Sequence, residues 1–229
     1  MGFNCVTLHT DVEAVGVMKT FKILLAATMG IAMIGAAGSA QAGVAGTKHD
    51  LTTLTTSPAT AQICVFCHTP HAASTAVGAP PVLWNRNASV TASFTLYSSP
   101  TMDNATSQPT GVSLGCLSCH DGATAYDSLV NTTNATPLTT PGTTMGAGSV
   151  ANLGTSLAND HPISMTYGGL AGAEFVAAVS GKVDVLPLFG AGSNQVECAS
   201  CHNPHDSTNG KFLRKSNNSS GLCTTCHVK

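Results

Sequence analysis

The sequence predicts one domain of mostly irregular coil, with a few short helices and minimal strand, whose interior is not built from its own side chains. Three observations carry this expectation. Only 9% of the 229 residues are charged and 5% aromatic, against nine cysteines and nine histidines, whereas an ordinary domain is about 25% charged. Seven Phe, three Tyr and one Trp are too few to fill the core of a chain this long. Hydrophobic periodicity is sparse, with no heptads, no Gly-rich phosphate loop and no sustained amphipathic stripe. The formal net charge of −2 also excludes a generic basic nucleic-acid binder.

Met18, Lys19, Thr20, Phe21 and Lys22 form a short basic segment, and an uncharged apolar run follows over residues 23–37. Ala40, Gln41 and Ala42 then supply the small-x-small pattern of a signal-peptidase site. The run is shorter than the roughly 20 residues that span a bilayer, so a cleaved export signal over 18–42 is expected, with no membrane span after cleavage. Residues 1–17 carry Cys5, Asp11 and Glu13, which a signal's basic leader does not need, and read as an over-extended start. The expected mature chain is a single domain over residues 43–229. Within it, Val90, Ala92, Phe94 and Leu96 alternate in a short strand over 89–97. Residues 170–179 read as a short helix ending at Gly181. Residues 130–150, rich in Thr, Gly, Pro and Asn, read as an irregular surface loop.

Without Cys5, eight cysteines remain, and all fall in four copies of C-x-x-C-H: Cys64, Cys67 and His68; Cys116, Cys119 and His120; Cys198, Cys201 and His202; Cys223, Cys226 and His227. This is the attachment motif of c-type haem. Two thiols one turn apart can bond the two vinyl-derived carbons of one porphyrin, and the next residue brings an imidazole up to the iron. Disulfides or zinc also use paired cysteines, but neither requires a histidine after the second. Four covalently attached haem c groups are expected, forming a haem core.

With His9 in the leader, four further histidines remain for four sixth coordination positions: His49, His71, His161 and His205. Neutral imidazole is a good iron ligand, so the count predicts four bis-histidine haems. His71 and His205 each follow a proximal histidine by three residues, too few to pass round a porphyrin, so each is expected to serve a neighbouring haem. Pro70 and Pro204 stiffen the turns that aim them. Met102, Met145 and Met165 are alternative axial ligands, of which Met165 lies close to His161. The motifs are unevenly spaced, with 52 residues from Cys64 to Cys116, 82 from Cys116 to Cys198 and 25 from Cys198 to Cys223. The last two sites are therefore expected to be tightly coupled.

Residues 64–71, 114–122, 159–167 and 196–229 resemble the multihaem c-type cytochromes of metal-reducing bacteria. Within that group they are similar to the tetrahaem outer-surface cytochromes that polymerise into extracellular filaments. The resemblance implies a continuous row of haems, and one axial histidine supplied by the adjacent subunit of a homopolymer. His49, in a polar arm 15 residues before the first motif, is the natural candidate for that role.

The expected function is electron transfer by hopping along the haems, as subunit of an extracellular conductive filament, with donor and acceptor proteins or extracellular acceptors as partners. The alternative is a soluble periplasmic tetrahaem shuttle, although five lysines in residues 43–229 are few for docking through a lysine ring. A multihaem reductase would need an open iron position, and the histidine count leaves none. The chain is therefore expected to be an electron carrier and not an enzyme.

Overall fold

The longest regular element among the described residues is one helix of ten residues, and every strand there is two residues long. The computed structural model describes residues 43–75, 82–132, 135–167 and 174–228. The expected export signal and over-extended start lie outside them. Ala42–Lys229 is one compact unit. Among the described residues no helix is long and apolar enough to cross a membrane.

Helix α1 (Gly111–His120) starts behind Thr110, whose extended backbone makes the N-cap, and stops at Asp121-Gly122. Gly122 has φ +68°, the left-handed conformation that closes helices, and a Cβ there would strike the Asn152 side chain. The single-turn helices α2 (Cys198–Cys201) and α3 (Cys223–Cys226) complete the α content, with three one-turn 3-10 helices at Leu51–Leu54, Pro58–Thr60 and Asn218–Ser220. Strand β1 (Met165–Thr166) pairs antiparallel with β4 (Gln195–Val196), Met165 opposite Val196. Strands β2 (Lys182–Val183) and β3 (Leu186–Pro187) form a small antiparallel hairpin. Eight isolated bridges, such as Thr55–Leu138 and Arg86–Leu129, tie the coil together.

The buried apolar residues fall into three separate clusters rather than one core. Val65, Phe66 and Leu138 form the first, with Cys67 against it. Phe94, Leu117 and Leu157 form the second. Tyr167, Val183 and Leu188 form the third, with Cys226 against it. Each cluster thus touches a C-x-x-C-H segment. Among the described residues, 13 buried polar or charged residues stand beside 13 buried apolar ones, so the polypeptide encloses little that is purely apolar.

Three local expectations need correction. The alternation over 89–97 does not form a strand, because Val90 is 67% exposed while Phe94 is buried. The Gln108 side chain occupies both main-chain groups of Phe94, its Oε1 accepting from the amide at 2.8 Å and its Nε2 donating to the carbonyl at 3.0 Å. The only ladder contact left there is one parallel bridge, Thr95 to Ser156. The helix over 170–179 lies partly outside the described residues. Residues 174–179 are not helical: Val176 donates to the Cys226 carbonyl at 2.9 Å, and Phe175 bridges His227. The loop over 130–150 is irregular, but it is not all surface. Leu138 is 4% exposed and packs on Phe66.

Three clusters of this size cannot offset a conformational cost of roughly 1–2 kcal/mol per ordered residue. Produced without haem attachment, the chain is predicted to show no cooperative thermal transition by circular dichroism. The haem-loaded protein is predicted to show one.

Candidate functional site

All four C-x-x-C-H segments close the same turn. The histidine amide donates to the carbonyl of the first cysteine, at 2.8 Å for His68 to Cys64, 3.0 Å for His202 to Cys198 and 2.9 Å for His227 to Cys223. Cys116, Cys119 and His120 lie in the last turns of α1. Two thiols three residues apart in such a turn share one face. Seven of the eight residues between them are buried, Val65, Phe66, Leu117, Ser118, Ala199, Ser200 and Thr225, with Thr224 exposed, while each cysteine is exposed or half-buried. The spacer residues anchor the turn and leave the sulfur face open to a ligand.

Three of the proximal imidazoles are held alike. The Nδ1 of His68 lies 2.7 Å from the Val82 carbonyl, that of His120 2.8 Å from Ala151, and that of His202 2.9 Å from Lys211. A carbonyl only accepts, so Nδ1 carries the proton and Nε2 presents its lone pair. A metal-binding histidine is prepared in this way. Two of the accepting turns hold bulky residues in the left-handed region, Leu83 at φ 54° and Lys211 and Phe212 at φ 47° and 57°. Such conformations persist where the surroundings over-determine them. His161 has the same polarity, with Nδ1 2.9 Å from the Pro162 carbonyl.

The third segment joins the helix of the second, the Cys198 amide donating to Ser113 Oγ at 2.9 Å. The neighbouring Cys198 thiol and burial push the Cys116 thiol up. Burial pushes Cys67 to about 12 and Cys201 to about 11, and raises Cys119 as well. These thiols stay protonated and are poor thiolate ligands for a bare ion. The eight cysteines among the described residues are free, so both sulfurs of each turn are available for thioether bonds. The donor set, two thiols and one pre-oriented imidazole per turn, fits haem c.

Three pairs of imidazoles face each other at the same separation. Two rings binding one metal from opposite sides, through nitrogens about 2.0–2.1 Å away, have centroids about 6.3 Å apart. His68 and His205 are 6.0 Å apart, His120 and His49 6.2 Å, and His227 and His161 6.4 Å. His205, three residues beyond His202, thus faces the first motif and not its own. Burial lowers the pKa of both His49 and His205, with His120 and His68 respectively adding to the fall; the neutral ring is the ligating form. Neither His71 nor His202 faces a second imidazole among the described residues, and both are exposed. In this single chain the His49 ring is half-buried, 4.2 Å from Phe212 and 6.2 Å from His120. Gly43, ahead of it, lies so close to the His205 carbonyl that a Cβ would not fit.

Residues 191–229, which hold the third and fourth motifs, match a family model described as the doubled CXXCH motif. No curated protein matches the chain. The doubled motif makes this region c-type cytochrome-like and assigns covalently bound haem to it.

Sequence reasoning missed the polar groups that frame the sites. Arg86 and Asn85 are fully buried, and Asn85 bonds Val65 O at 2.7 Å and Asn131 O at 2.9 Å. The buried Trp84 Nε1 makes no hydrogen bond, and its ring meets His68 edge-on at 5.9 Å. Glu197 caps α2 and accepts from Ser164 at 2.9 Å and from Ser113, while burial raises its pKa. The available signal was the rarity of arginine: Arg86 is one of two in the chain, directly after the lone Trp and an Asn.

Replacing Cys116 and Cys119 together by alanine is predicted to lower the haem content by one per chain. Pyridine haemochrome absorbance per protein, and a mass lower by one haem, would read the loss.

Proposed function

We propose that the chain is a tetrahaem electron carrier acting as the subunit of an extracellular conductive filament. The observation that carries the reading is the three imidazole pairs at the spacing of two ligands on one metal, His68 with His205 at 6.0 Å, His120 with His49 at 6.2 Å and His227 with His161 at 6.4 Å. The eight cysteines hold four haem c groups. The proximal ligands are His68, His120, His202 and His227. His205 closes the first site, His49 the second and His161 the fourth, and the three matched ring separations support these pairings. Each haem, when bound, supplies an iron that changes oxidation state by one electron, and the row of sites carries electrons from one end to the other.

In this reading the histidine count singles out the third site. Once His49, His161 and His205 are used, His71 is the remaining distal histidine of residues 43–229. His71 is exposed, on a turn stiffened by Pro70, where Thr69 Oγ1 donates to its carbonyl at 2.9 Å. His202 is exposed as well. The filament then joins through His71 of one subunit on the third haem of the next. That contact leaves no open iron position, so the protein carries electrons and performs no bond chemistry on a substrate. Export through the 18–42 signal places it outside the cell.

Native wild-type protein is predicted to form filaments by negative-stain imaging. H71A is predicted to lose them while keeping four haems, and H49A to keep them while altering the second site's spectrum. Monodisperse wild-type particles would favour the soluble periplasmic shuttle, and intact H71A filaments would remove His71 from the joint.

A further inference from the structure

Arg86 is fully buried and has no carboxylate partner; the one ion pair among the described residues is the exposed Lys215–Asp184 contact at 2.9 Å. Its guanidinium is held by neutral acceptors only. Nε donates to Ser118 Oγ at 2.9 Å, Nη2 to the Ser118 and Ala125 carbonyls at 2.7 Å each, and Nη1 to the Tyr126 carbonyl at 2.8 Å. Four of five N–H donors are thereby spent, so the two-pronged grip that would cancel the charge with a carboxylate is closed. Arginine does not deprotonate. A full positive charge is therefore fixed inside the protein, where solvent screens it little.

Its position is between two motifs. Ser118 lies between Cys116 and Cys119, and Asn85, the residue before Arg86, donates its amide to the Cys67 carbonyl at 2.8 Å. The preceding residues stay on the first motif, with Thr69 donating to the Leu83 carbonyl at 2.8 Å and Trp84 bridged to His68. Arg86 is thus one residue from the backbone bond onto Cys67 and directly bonded to the residue before Cys119. An electron arriving on a haem at either sulfur gains from the same field. Asp121, buried beside His120, opposes it at the second motif. The chain's other arginine, Arg214, reaches the third motif through the Ala199 carbonyl at 2.8 Å, but it is only part-buried and solvent weakens its field.

Resting on the four-haem reading, we infer that Arg86 is a built-in potential-setting charge that raises the reduction potentials of the first and second haems, the first most. Electrons then settle toward the N-terminal end of the row. The test is a spectroelectrochemical titration of the holoprotein as wild type and R86Q, each first shown to carry four haems. R86Q is expected to move two midpoints to more negative values and leave two in place. R86Q with four haems and unmoved midpoints would overturn the role of Arg86. Should R86Q fail to load haem, an NMR-followed titration of wild type decides instead. The first and second haems are expected to reduce before the third and fourth, and the reverse order overturns the inference. Fewer than four haems in wild type would overturn the four-haem reading itself.

Discussion

A hydrogen bond on one imidazole nitrogen fixes the direction in which the other is offered to a metal. In this chain the ties are main-chain carbonyls lying 14 residues from His68, 31 from His120 and 9 from His202. Each tie obliges a loop to fold back over its motif. The left-handed Leu83, Lys211 and Phe212 belong to those returning loops. The irregularity of the fold is thus a consequence of the sites and not a lack of organisation.

The interior follows the same logic. Most spacer residues of the motifs are buried, several of them in small apolar clusters, whereas the cysteines are exposed or half-buried. Packed helices or sheets would bury continuous apolar stripes; here the buried apolar residues fall in small separate clusters. Buried polar groups such as Asn85, Asp121 and Glu197 hold the backbone around them, each through several hydrogen bonds.

The motif turns were legible in the sequence because C-x-x-C-H is a local pattern of five residues, and the doubled motif over residues 191–229 is the part a family model matches. The mostly irregular fold was legible too, from scarce periodicity and scarce charge. The strand over 89–97 was misread because alternation says nothing about the Gln108 side chain, 14 residues away, taking the Phe94 main-chain groups. The placement of His49 was not legible because its ring meets His120 across 71 residues of chain, through a fold no local pattern encodes. Arg86 escaped notice for the same reason: four partners from residues 118–126 make it a buried charge, and none is near it in sequence.

The central claim, that irons sit between His68 and His205, His120 and His49, and His227 and His161, has a direct spectroscopic signature. The two ring planes meet at 22° in the first pair but at 77° and 69° in the other two. Near-parallel imidazoles on low-spin ferric haem give a rhombic electron paramagnetic resonance signal, and near-perpendicular ones give a single large-g feature. The oxidised holoprotein at low temperature is predicted to show a rhombic low-spin component together with large-g components from at least two haems. A spectrum dominated by high-spin iron, or one with rhombic signals and no large-g feature, would contradict the account.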